Sequence, residues 1–591
     1  MKKSAIFAAA FVLTLGLAQC KKEQPNAQIT EGETVHITVN VNNNGSRADI
    51  QDPSTGHYVF NDGDKLYVGY NNACVGTLEY STSASIFSGD ITIAQSGSQR
   101  LHFYYLGGSL EPAIDGTEYT VDISNQTSNY PVISYGTSNK DYDGAGTYRT
   151  TLLNKCALVK FTLASGTTDA VAVGGMMTKA TIDFANPGVV TPSAAGEITL
   201  HTGASTNEKW AILLAQDAVD DALVAVGYYG YTVDIPGIED NAFAPQFDEI
   251  NNSEPSNLIV LNRLTNDYTA TNGQVLTGTL ANNVKISIAD GATVTLGGVT
   301  INGVNNNNYE WAGLNCEGNA TIILKDGTTN TVKGFYQNYP GIHVPENYTL
   351  TIKGDGQLTA NNINGAGIGG GLGISCGNIR IEGGVINATG GSGASGIGGA
   401  KFGQCGTITI SGGTVTATGG EEAAGIGGAT SCGTITISGG TIEATGGNDA
   451  AGIGSGLQGN CEAINISGGT IEATGGNRAA GIGSGSGADS YQGSSCGAIT
   501  ISGGTVTAKG GLGASGIGSG ALQGSCENIT ITTAVTQVTA TMGKYAPNSI
   551  GYGFEGTCGT VTIGGVVYYE NNAYVGTGST YLTQSPLVYK P

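Results

Sequence analysis

Along residues 365 to 556, apolar and polar positions alternate with period two in short bursts broken at regular intervals by Gly-Gly. The stretch CGTITISGGTVTATGGEEAAGIGG, residues 405 to 428, shows the unit. TITIS and TVTAT each put every second side chain on one face, and AAGIGG supplies a third short segment. Aligned on the isoleucine of Gly-Ile-Gly, copies fall at Ile368, Ile397, Ile426, Ile453, Ile482, Ile517 and Ile550, with looser counterparts at Leu314 and Ile342. The steps are 28, 26, 29, 29, 27, 29, 35 and 33 residues. Three short strands with glycine corners predict one coil of a triangular, single-stranded parallel β-helix, and about nine or more coils at the ~4.8 Å strand spacing give a solenoid roughly 40 Å tall. Ile408, Ile410, Val415, Ala417 and Ile426 are expected inside. One coil cannot bury that face alone, but a stack can. The units are too short for the four-stranded blades of a propeller.

Where the repeat varies in length is more informative. From the repeat cysteine to the next Gly-Ile-Gly isoleucine the distance is 21 residues in five successive units, whereas from that isoleucine to the next cysteine it runs from 6 to 14. The slack of these units lies at one corner, and in repeat proteins such a face is often the binding face. This corner carries Phe402 and Tyr491, the only aromatic residues between Asn361 and Ala540, together with Gln404, Asp489 and Gln492. These five are the candidate ligand-binding residues. The plainer alternative is an ordinary loop on an unused corner.

Residues 31 to 255 show no repeat. Alternating stretches such as HITVNV, KLYVGY, LHFYYL and ALVKFTL suggest the short strands of a β-sandwich. In the last of these, Ala157, Val159, Phe161 and Leu163 are expected in a core while Leu158, Lys160 and Thr162 face away. The expected architecture is therefore all-β.

Composition narrows the function. The chain has 591 residues, 98 of them glycine, with Lys+Arg 24 against Asp+Glu 46 and a net charge of −22. That balance excludes binding to a nucleic-acid backbone. Seven of the eleven cysteines, Cys376, Cys405, Cys432, Cys461, Cys496, Cys526 and Cys558, share one repeat position. Stacked in register, their side chains point the same way, so they read as buried free thiols filling a tight corner. All five histidines precede this ladder, and no acid and base pair of the kind a polysaccharide lyase or hydrolase uses stands out. Glu443 and Glu472, at one position of successive coils, are a weak metal candidate. Glu422, Asp449 and Arg478 also share a position, and Asp449 with Arg478 reads as a surface ion pair of little worth. No cofactor is expected.

The first twenty residues, MKKSAIFAAAFVLTLGLAQC, combine a charged start, an apolar stretch of signal-peptide length and a cysteine. They resemble a bacterial lipoprotein signal with Leu17-Ala18-Gln19-Cys20 in place of the lipobox, which implies lipidation at Cys20, a polar tether over 21 to 30 and membrane lipid as a partner. GSRAD, FNDGDKLYVGY and NKCALVKFTL, in that order behind such a signal, resemble the fimbrillin-like lipoproteins of Bacteroidetes. In pilins of that family the N-terminus is trimmed after an arginine and subunits join by donated strands, which makes Arg47 the matching processing position. The Gly-rich copies are similar to repeats of bacterial surface proteins. Together these resemblances imply an outer-membrane, surface-exposed location and adhesion or glycan contact. The domain plan is signal 1–20, tether 21–30, sandwich region 31–255, β-helix 256–563 and cap 564–591. The function expected is a non-catalytic adhesin or glycan-binding lipoprotein. The alternatives are a β-helix polysaccharide lyase or hydrolase, and a structural fimbrial tip or stalk subunit.

Overall fold

The computed structural model describes residues 33–42, 60–93, 99–107, 113–115, 117–126, 132–163, 171–202, 208–238, 257–487 and 493–591. The chain divides into two compact units, Met1–Ser256 and Asn257–Pro591.

In the first unit, eight strands form one sheet in which Glu33–Val41, Ile86–Ile93, Ala73–Ser81, Lys65–Tyr70, Arg100–Tyr105 and Ser134–Asp141 are successive antiparallel neighbours. Period-two alternation lets this sheet serve two cores. Leu66, Val68 and Tyr70 enter a cluster with Phe60, Phe87 and Phe103, while the intervening Tyr67 joins a second cluster. That second cluster lies between two further sheets. One is Cys156–Thr162, Glu208–Leu214 and His201–Thr202; the other is built on Val171–Asp183 with Glu118–Asp122, Val190–Thr199, Val219–Val226 and Tyr229–Ile235. Ala157, Val159, Phe161 and Leu163 lie in it, as the alternation predicts. Leu158 departs from expectation: it is buried in a small satellite cluster with Val132, Cys156, Trp210 and Ile212, because this strand is covered on both faces. Lys160 stays at the rim, ion-paired to Glu208 with its ammonium 5.4 Å from the Trp210 ring centre.

The second unit is a parallel β-solenoid of three walls. In one coil the first wall is Ile408–Ile410, the second Thr414–Thr418 and the third Ile426–Gly428. Each pairs in register with its counterpart one coil on, as in Ile408↔Ile435, Val415↔Ile442 and Ile426↔Ile453. Ile408, Ile410, Val415, Ala417 and Ile426 are wholly buried, and so is the column they belong to. The third wall has eleven rungs. The two beyond the nine aligned positions, Tyr268–Ala270 and Ile286–Ile288, lack the Gly-Ile-Gly signature but stack in the same wall. Gly427 shows why this wall needs glycine. Its φ is +139°, and a Cβ there would lie 1.9 Å from the carbonyl oxygen of Gly454 in the next rung.

The ladder cysteines are free and buried, with register partners such as Cys405↔Cys432 and Cys432↔Cys461. At the far end the stack is closed rather than left as open edges. Val561–Ile563 turns into the antiparallel strand Val566–Glu570, and Leu587–Tyr589 lies antiparallel on Gln537–Thr541.

Candidate functional site: a ridge along the third wall

Each rung of the third wall is two or three residues long, so the turn before it and the corner after it lie side by side. Backbone bonds tie them together: Lys401 N–H donates to Gly393 O at 2.8 Å, Leu457 to Glu422 at 3.1 Å and Phe554 to Gly513 at 2.6 Å. Stacked coil on coil, these paired loops make one ridge. Their reversals are tight enough to hold bulky residues in the left-handed region: Phe402 at φ +63°, Gln458 at +56° and Glu555 at +54° on the corner, and Glu422 at +65°, Asp449 at +61°, Arg478 at +62° and Tyr545 at +72° on the turn. Such a conformation costs an ordinary L-residue about 1–2 kcal/mol, which the surrounding ladder must offset.

Of the sequence candidates, Phe402 and Gln404 stand on this ridge. The Phe402 side chain is 80% exposed, and its N–H donates to Thr430 Oγ1 at 2.8 Å. Gln404 is exposed, with its N–H on Ser375 Oγ at 3.1 Å. Asp489, Tyr491 and Gln492 lie outside the described residues, as do Cys20 and Arg47.

The centre of the ridge is charged. Lys401 pairs with Glu422. Arg478 forms a two-pronged pair with Asp449, both bonds at 2.7 Å. The Asp449 side chain is only 11% exposed, which corrects the reading of this contact as a surface pair of little worth: burial and fork geometry make it a stronger, charge-assisted contact. Glu443 and Glu472 are register partners on the exposed side of the second wall. Among the described residues no group of three or more His, Cys, Asp or Glu side chains is arranged to hold a metal ion.

Both ends of the ridge carry apolar residues that the sequence reading passed over. Leu512 is 46% exposed, Tyr545 68% and Phe554 47%, and the Lys544 ammonium sits 4.7 Å from the Tyr545 ring centre. A signal existed. Leu512 and Tyr545 each precede their Gly-Ile-Gly isoleucine by five residues, the offset of Glu421 from Ile426. In the first coils the slack falls in the turn before the third wall rather than the corner after it. Ile301 and Ala417 share a register column, yet 13 residues separate Ile301 from Leu314 against 9 from Ala417 to Ile426. That longer turn holds Tyr309 and Trp311, and the next holds Tyr336 and Tyr339.

Cys316, in the third-wall rung Leu314–Cys316, and the ladder cysteines are all buried. Burial pushes the Cys316 thiol up to about 12. Hydrogen bonding to the Cys405 thiol, reinforced by burial, holds Cys376 well above the ordinary range. In the first unit an open pocket of about 300 Å³ is lined by Arg100, Tyr135, Ser138, Arg149 and Leu153, with Arg100 donating to Ser138 O at 3.2 Å.

Six segments, 350–372, 379–401, 408–430, 435–457, 464–486 and 499–521, match the family described as beta helix repeat. No curated protein matches the chain. Among solved structures, a "putative cell adhesion protein" from Bacteroides uniformis is 15% identical, with 35% of this chain and 96% of that one covered and a TM-score of 0.25. A fimbrial protein from Bacteroides ovatus is 11% identical over 37% of this chain and 49% of that one, TM-score 0.22. The tip fimbrial protein Mfa3 from Porphyromonas gingivalis is 10% identical over 34% and 81%, TM-score 0.21. Likeness at this level carries no functional argument. The second unit is a parallel β-solenoid, and the segments that match this repeat family fall within residues 350–521 of it.

Proposed function

We propose that the chain is a non-catalytic adhesin of the cell surface, held in the outer membrane through acylated Cys20, that touches its target, a glycan or another surface, along the ridge. The observation that carries this reading is Phe402. A phenyl ring 80% exposed on a left-handed backbone gains nothing from packing and costs conformational energy, and such outliers gather at functional positions. The repeats beneath it supply a stiff scaffold whose interior needs only small and branched side chains.

The test is attachment of beads coated with the full chain to mucin and to epithelial monolayers, with Phe402→Ala alongside and soluble sugar product assayed throughout. Attachment weakened at least threefold by the substitution, without product, supports the reading. Release of shortened polysaccharide favours the lyase or hydrolase alternative, and chain polymers formed after cleavage at Arg47 favour the fimbrial subunit.

A further inference from the structure

We propose that Tyr309, Trp311, Tyr336 and Tyr339 form a carbohydrate-binding platform that takes an extended polysaccharide along the solenoid axis. The proposal rests on the reading of the ridge as the contact surface and names its ligand class and its first subsites. The four side chains are partly exposed. Tyr309 and Trp311 lie with ring centres 5.3 Å apart at 65°, and Tyr336 and Tyr339 at 6.5 Å and 42°. Beneath them Phe335, 1% exposed, packs 5.7 Å from Trp311 and 6.4 Å from Tyr309.

The platform is held in shape before any ligand arrives. Asn306 N–H donates to Phe335 O at 3.0 Å and Phe335 N–H to Trp311 O at 3.2 Å. Gln337 N–H donates to Asn305 Oδ1 at 3.1 Å, and the buried Asn362 amide donates to Tyr336 O at 2.6 Å. A ligand therefore meets rings that are already ordered, which lowers the entropy cost of binding.

Two features select a sugar chain. First, the faces of pyranose rings are C–H surfaces that stack on aromatic rings, while their hydroxyls require donors and acceptors at the rim. Gln337, Asn338 and Glu310 lie in the same two turns. Burial, and then the charge of Glu310, raise the Tyr339 phenol. Second, the two ring pairs belong to successive rungs, about 4.8 Å apart, close to the length of one sugar unit in an extended chain. Bases of single-stranded nucleic acid also stack on such rings, but a chain of net charge −22 repels that backbone.

Tryptophan emission tests this on the full chain. Of its two tryptophans, Trp210 is buried in the first unit, so a ligand-dependent change reports on Trp311. Laminarin, arabinoxylan, dextran and polygalacturonate are titrated in turn. The expected result is that at least one shifts the emission and shields it from acrylamide. Tyr336→Ala should weaken that binding at least tenfold, Trp311→Phe should remove the optical signal while retaining binding measured by calorimetry, and Arg149→Ala, in the open pocket of the first unit, should leave the affinity within twofold. Each variant is accepted only with an unchanged melting temperature. Absence of any emission change with all four, or full binding by Tyr336→Ala, overturns the proposal. Bead attachment that persists in either case leaves the adhesin reading standing, and loss of both removes both.

Discussion

The first unit packs aromatic rings into its core, whereas the second leaves rings at its surface. In the first, Phe60 packs edge-on against Phe87 at 4.9 Å and Tyr105 at 5.2 Å, within a core that also holds Phe103 and Tyr148. In the second, the coil interior is isoleucine, leucine, valine, alanine, cysteine and glycine, and rings such as Phe402, Tyr545 and Phe554 stand outside. A coil whose third wall is two or three residues long has little room for a ring, and Phe335 is an exception at a widened early coil. An aromatic residue in the first unit therefore reports packing. In the solenoid it reports a surface, a cap or a ligand.

The sharpest way to break this comparison is with glycine. Gly427→Ala puts a methyl group 1.9 Å from a backbone oxygen that the ladder holds in place, so a loss of at least about 3 kcal/mol is expected from urea unfolding. Gly63→Ala in the first unit has a similarly positive φ of +85° but nothing within 4 Å, so only the backbone term applies, about 1–2 kcal/mol. Equal losses would mean that the third wall can yield.

Core truncation comes next. Phe87→Ala should cost about 3–5 kcal/mol and Ile437→Ala about 2–5 kcal/mol, with each loss read in its own unit's unfolding transition. Alkaline titration separates the units further. The Cys316 thiol is raised to about 12 by burial, so the stability it lends is full below its unfolded value of about 8.5 and is lost as pH rises towards 12. The solenoid transition of wild type should fall across that window more than that of Cys316→Ala.

Smaller effects sharpen the ridge. Arg478→Gln leaves a largely buried Asp449 carboxylate without its fork and should cost about 1–3 kcal/mol by thermal unfolding. Phe402→Gly relieves a left-handed phenylalanine and should change stability by less than about 1 kcal/mol while weakening attachment.

The solenoid was legible because its physics is periodic. Ile426, Ile453 and Ile482 mark rungs because every coil must fill the same space, and the cysteine ladder follows from the same register. The first two rungs, Tyr268–Ala270 and Ile286–Ile288, lie inside the expected β-helix of 256–563 but fell outside the alignment because they satisfy the wall without glycine around isoleucine. Leu158 escaped because alternation tells which side chains share a face, but not whether the second face is also covered. The ridge was half legible. Length variation after the third wall pointed to Phe402, but the turn before it, brought alongside only by the shortness of that wall, held the other rings.

The most direct test of the central claim sets the ridge against the first unit in one assay. Beads displaying the full chain through its N-terminus are flowed over a mucin surface, with Phe402→Ser/Tyr545→Ser/Phe554→Ser compared with Arg100→Ala/Arg149→Ala, which alters the open pocket of the first unit. The account predicts that the three ridge substitutions reduce attachment at least tenfold while the arginine pair leaves it unchanged. Full attachment by the ridge variant, with loss in the arginine variant, would contradict it and move recognition to the first unit.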